Sequence, residues 1–186
     1  MSADQPAASE PGEVLAFWRA AGPAKWFVKD TDFDDEIRRR FLATHEAAAA
    51  GRLVAWEESA EGTLALLILL DQFPRNMFRG SSRMFATDPL ARDIAEKSLA
   101  RGFDQKVEMP DRQFFYMPFE HSEALADQER AVALFRATGN AELLKWAELH
   151  HDIIRRFGRF PHRNDLLVRP TTAEEHAFLE GGGFAG

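Results

Sequence analysis

Two short stretches concentrate the groups that could do chemistry: DQFPRN, Asp71 to Asn76, and RFPHRN, Arg159 to Asn164. Each closes an apolar helical run and supplies cations and amides next to a proline. Arginine forks match carboxylates and phosphates in bidentate geometry. The two stretches together therefore predict an internal polar pocket for a small anionic or polar molecule. Its lining would be Asp71, Gln72, Arg75, Asn76, Arg159, His162, Arg163 and Asn164. The plainer reading is that both are helix stops, since proline ends helices. A third island, MPFEHSEALADQ from Met117 to Gln128, holds Glu120, His121 and Glu123 as a compact acid/base set. With His150, His121 and Glu123 are the catalytic candidates, although capping chemistry alone also explains Ser122 and Glu123.

These groups have to be positioned by helices. Leu64, Leu67, Ile68 and Asp71 recur at three, four and seven residues, one face of a helix apolar almost all round. A carboxylate ending such a buried stripe needs a cation or several N–H donors. Leu143, Ala147, His150, Ile154 and Phe157 form a second continuous face, so His150 occupies a core position. Arg155, Arg156, Arg159, Arg163 and Arg169 crowd the span that follows. Some of them must answer buried acids, and any surplus would make an anion site.

The remaining chain reads the same way. Val14, Phe17, Trp18 and Ala21 make a stripe that stops at Gly22-Pro23, and a helix with acids in its first turn starts near Asp32. The run TLALLILLDQF is expected to continue as helix until Pro74. Thr87-Asp88-Pro89 offers a cap with proline at the first helical position, and a helix over 122–138 starts from a cap at His121 or Ser122. Gly139 and Gly158 end helices, and Thr172 with Glu175 spells a capping box. No stretch alternates with period two. The expectation is all-α, about seven to eight mostly antiparallel helices. Residues 1–10 read as a disordered tail, 11–180 as one helical domain and 181–186 as a flexible Gly-rich end.

Composition narrows the function classes. The chain has 186 residues, 45% of them apolar, enough for one sizeable core. It has no cysteine, which removes disulfides and thiolate metal sites. Glu148 and His151 have the spacing of a helical metal motif, but such sites need a second copy and further glutamates, so neither metal nor cofactor is expected. A formal charge of −7 speaks against nucleic-acid binding. The longest apolar run, Leu64 to Leu70, is far short of the ~20 residues that span a bilayer. The opening MSADQPAASEPGE lacks a signal-peptide pattern, so a cytoplasmic protein is expected.

LLILLDQFPRNMFRG, FYMPFEHSEALADQER and HHDIIRRFGRFPHRN, in this order, resemble a bacterial domain-of-unknown-function family, number 924. The resemblance runs from about Val14 to Leu179. It implies a tetratricopeptide-repeat-like, right-handed helical array without sequence repeats, and it carries over no catalytic role. The family pattern marks the positions of Asp71, Gln72, Arg75, Asn76, His121, Ser122, Glu123, His150, Arg159, His162, Arg163 and Asn164. One departure stands out: where Leu-Gly-Arg is expected, this chain has Leu167-Val168-Arg169. Three readings of function follow. The first is a helical scaffold holding a small anionic or polar ligand. The second is a hydrolase-like enzyme using His121, Glu123 or His150. The third is an interaction scaffold, which the fold analogy alone supports and with which a protein partner or a homodimer is compatible.

Overall fold

A computed structural model describes residues 8–185, and among them there is no strand. The helices are α1 (Pro11–Ala21), α2 (Pro23–Trp26), α3 (Thr31–Ala49), α4 (Ala60–Leu67), α5 (Phe73–Met77), α6 (Asp88–Ala100), α7 (Met117–Glu120), α8 (Leu125–Ala137), α9 (Ala141–Phe157) and α10 (Ala173–Glu180). Seven of these have eight residues or more; α2, α5 and α7 are single turns. The protein is all-α, as its apolar periodicity requires. Of the tail expected over 1–10, residues 1–7 lie outside the described residues, and the Ser9 N–H donates to Thr44 Oγ1 at 2.8 Å.

Contacts divide the chain into two compact units where the sequence reading takes 11–180 as one domain. The first comprises residues up to 79 and 83–118, the second 80–82 and 119 onward. In the first unit, α4 lies at the centre, with Leu64, Leu66 and Leu67 all buried. Around it, large rings fill the space. Trp18 stacks on Trp26 at 5.6 Å, Phe41 meets Phe73 at 5.0 Å, and Phe114 stands edge-on to Trp26 at 5.0 Å. Such pairs add roughly 0.5–1.5 kcal/mol each beyond their buried area. The Trp26 indole N–H is satisfied by the Trp18 carbonyl at 2.7 Å, which lets an amphipathic ring sit inside.

In the second unit, α8 and α9 fold back on each other across Thr138, Gly139 and Asn140. Asn140 caps α9, accepting from the N–H groups of Glu142 and Leu143, and Gly158 ends it in the left-handed region at φ 69°. The capping box before α10 forms as spelled: Glu175 N–H donates to Thr172 Oγ1 at 3.2 Å, and Thr172 N–H to Glu175 Oε2 at 2.8 Å. The Gly-rich end contributes Phe184, whose ring packs on His150 at 4.7 Å and His162 at 5.2 Å.

Three local expectations need correction. Pro74 does not stop its helix: after a π-helical turn over Ile68–Gln72 the chain continues through Pro74 as α5. Thr87 does not cap α6 with its side chain, because its hydroxyl is committed elsewhere, as described below. The cap of α8 is Ala124, neither His121 nor Ser122; the Ser122 hydroxyl instead accepts from Ala124 N–H and donates to Asp127.

The missing glycine has a visible consequence. Val168 sits at φ 53°, with 92% of its surface exposed. A β-branched residue in the left-handed region is strained, by roughly 1–2 kcal/mol, and its exposed isopropyl group recovers nothing by packing. Val168→Gly is therefore expected to stabilise the protein by about 1 kcal/mol, raising the melting temperature by roughly 2–4 °C. An unchanged or lower melting temperature would show that the turn is not strained.

Candidate functional site

The DQFPRN segment of the first unit is built around backbone groups that the π turn sets loose. The Phe73 N–H reaches back five residues to the Ile68 carbonyl, so the Leu69 carbonyl loses the partner that an α-helix would provide. His45 takes that place, its Nδ1 lying 2.8 Å from the Leu69 oxygen. A carbonyl accepts only, so Nδ1 carries the proton. Burial pushes the His45 pKa below its usual range; the Leu69 bond opposes this, and the charge of Arg83 adds to it. Pro74 has no N–H, which orphans the Leu70 carbonyl four residues back. The Thr87 hydroxyl donates to it at 2.6 Å. The Asp71 carbonyl receives Arg75 Nη1. Histidine and threonine thus replace two helix bonds, and arginine adds a donor to the next carbonyl.

The side chains of the same segment are engaged as well. Asp71 is 1% exposed; it accepts from Gln72 Nε2 and lies 3.4 Å from Arg75 Nη1. Arg75 also forks onto Asp88, with both bonds at 3.0 Å. Asn76 donates to Asp34 Oδ1 at 2.7 Å, and Arg79 grips both oxygens of Asp34 at 2.7 and 3.0 Å. Arg38 closes the end of α5 on the Met77 carbonyl. Asp34 and Asp88 are absent from the sequence-derived site. Both were legible only as first-turn acids, although Asp34 shares the stripe of Ile37 and Phe41, and a carboxylate on a buried stripe is itself a signal.

The second unit holds His121, Glu123, His150 and the RFPHRN segment. His150 Nδ1 lies 2.9 Å from Glu120 Oε1 and 2.8 Å from the Trp146 carbonyl, with Phe160 edge-on to its ring. Glu123 accepts the Phe160 N–H at 2.8 Å and both arms of Arg169, at 2.7 and 3.1 Å. Burial alone would raise the Glu123 pKa; the Arg169 fork and the Phe160 N–H outweigh it, and the group is held below the carboxylate range. Arg169 passes on to Asn164 Oδ1 at 3.1 Å, and Asn164 to Glu175 at 3.3 Å. Arg159 closes the chain with a fork on Glu175, one arm at 2.7 Å, and a bond to the Pro170 carbonyl at 2.8 Å. Arg163 lies buried with its guanidinium 4.4 Å from the Phe160 ring centre, and His162 stands 5.6 Å from that same ring. His121 is half-buried between α7 and α8. The Glu148 carboxylate pairs with Arg136 at 3.1 Å.

Glu175 therefore carries a cap, a fork and an amide bond at once. The Arg159 fork, against the effect of burial and with help from the Thr172 N–H, holds its pKa down to about 2. Its value in the unfolded chain is about 4.3. Because the folded value is the lower one, the stability it contributes is complete above the unfolded value and is lost as pH falls toward 2. In denaturant titrations, Glu175→Gln should be clearly less stable than wild type at pH 6 and approach it near pH 2.5. A gap of equal size at both pH values would contradict this account.

The sequence-derived residues are thus distributed over both units, Asp71, Gln72, Arg75 and Asn76 in the first and the others in the second. Arg75, Arg159 and Arg169 each hold a carboxylate of their own unit. Elsewhere in the first unit an open cleft of about 430 Å³ is lined by Arg19, Trp26, Glu61, Lys106, Val107 and Met109, among others. At Gly62, next to Glu61, a Cβ would lie 2.3 Å from the Trp56 carbonyl oxygen, so only glycine lets α4 start this close to the preceding turn.

A family model described as bacterial protein of unknown function (DUF924) matches residues 14–183. The chain belongs to that family. The structure of a protein of unknown function, ATU0120 from Agrobacterium tumefaciens, is similar to this one, with a TM-score of 0.90 and 51% sequence identity over 92% of this chain and 97% of that one. No curated protein matches. No helix among the described residues is long and apolar enough to cross a membrane.

Proposed function

We propose that this protein binds a small polar ligand, and that the cleft of the first unit receives it. The observation that carries this reading is the cleft itself, about 430 Å³ with ionised groups beside Trp26, Val107 and Met109. That volume lies in the range of small-molecule sites, and an apolar wall with a few charges is their usual construction. The arginines of DQFPRN and RFPHRN support the scaffold instead: a ligand at Arg75 or Arg159 would have to displace Asp88 or Glu175. The test is a thermal-shift and tryptophan-fluorescence screen against amino acids, carboxylates, phosphates and sugars. Saturable binding by one class, abolished in Met109→Trp with its circular dichroism unchanged, is expected. No saturable response, or one that survives Met109→Trp, would overturn the reading.

The hydrolase-like alternative has one observation in its favour, the Glu120–His150 pair. A carboxylate on Nδ1 orients an imidazole in the way a general base requires. Ester or phosphoester hydrolysis lost in His150→Gln supports it; hydrolysis that persists in the variant removes it.

A further inference from the structure

We infer that the cleft of the first unit recognises a small zwitterion, a free α-amino acid with an apolar side chain. The inference rests on the proposed ligand-binding reading and names the ligand class. Five charged side chains line the cleft: Arg19, Glu61, Lys106, Glu108 and Asp111. Arg19 and Asp111 neutralise each other across 2.6 Å. Glu108 turns outward, its side chain 93% exposed, and pairs with Arg112 at 3.8 Å. Two charges remain uncommitted, one of each sign. Neither Glu61 nor Lys106 has an ion-pair partner among the described residues; the Lys106 ammonium lies 4.9 Å from the centre of the Phe103 ring.

A ligand of either single charge would satisfy one of these groups and be repelled by the other. A molecule with an ammonium and a carboxylate satisfies both, Glu61 taking the ammonium and Lys106 the carboxylate. The rest of the lining sets the third requirement. Pro23, Trp26, Val107, Met109 and Pro110 offer an apolar wall, which a hydrocarbon side chain would cover and a polar one would not. Trp26 belongs both to this wall and to the packed ring cluster behind it, so one side of the site is rigid.

The experiment uses L-leucine as probe, with N-acetyl-L-leucine lacking the ammonium and L-leucinamide lacking the carboxylate, on the full chain. Leucine is expected to bind saturably and both derivatives up to about fivefold weaker, the upper size for exposed ion pairs. Glu61→Gln should erase the preference for leucine over N-acetyl-leucine, and Lys106→Met the preference over leucinamide. Both side chains are exposed, so these variants should keep the wild-type melting temperature. Equal binding of all three compounds, or selectivity unchanged in the two variants, overturns the zwitterion assignment. If a phosphate or sugar binds instead and Met109→Trp abolishes it, the cleft is the site and the assignment alone fails. If nothing binds in a Met109-dependent way, the ligand-binding reading fails with it.

Discussion

Replacing Asp34 with alanine is expected to lower the melting temperature by roughly 10 °C, a loss of about 3 kcal/mol. Asp34 is buried on α3, and three donors converge on it, one from Asn76 and two from Arg79. Without the carboxylate, the buried Asn76 amide loses an acceptor and the Arg79 fork closes on nothing. An unsatisfied buried group costs its full desolvation. Arg79 is about one-third exposed and can recover some hydration, which keeps the loss at the lower end of the range for a broken buried pair. Asp35→Ala is the control, since that carboxylate is exposed and pairs with Arg38 on its own helix. It should move the melting temperature by no more than about 1–2 °C. Similar losses in both variants would mean that Asp34 is not a hub.

Asp71→Asn is expected to cost on the order of 3 kcal/mol, with a melting temperature lower by roughly 6–12 °C. The substitution preserves shape and removes charge from a site that is 1% exposed. Arg75 keeps its fork on Asp88 and its bond to the Asp71 carbonyl, so it is not abandoned, and the cost stays near the lower end. Paired with Asp88→Asn, the substitution should be more damaging than the sum of the single changes, because each carboxylate then loses its substitute. A double-mutant cycle read from denaturant midpoints measures this coupling. Strict additivity would show that the two acids do not share Arg75.

The sequence and the structure agree most closely where hydrogen bonds are local. The Thr172–Glu175 box, the Asn140 cap and the glycine stop at 158 all form as spelled. The family resemblance marks position 168 as a missing glycine, and the structure adds the positive φ that makes valine strained there. The errors cluster around Pro74. The rule that proline ends a helix assumes that the freed carbonyl must find water. Here Thr87, seventeen residues after Leu70, and His45, twenty-four residues before Leu69, supply donors from other elements, so the helix can continue. No local pattern announces a donor at that separation.

By itself, then, the sequence determined an all-helical protein, most of the helix ends, and the fact that Asp71 and His150 would lie on buried stripes. These follow from a period of 3.6 residues and from bonds that span four, which any short window contains. Only the tertiary structure decided which cation answers which acid. Arg79 meets Asp34 across 45 residues and Arg169 meets Glu123 across 46, so both arginines brace the fold through acids far away in the sequence. The cleft was likewise beyond any window, because its wall joins residues from Arg19 to Asp111. A gap between packed elements belongs to none of them, and packing alone decides that Glu61 and Lys106 have no ion-pair partner among the described residues.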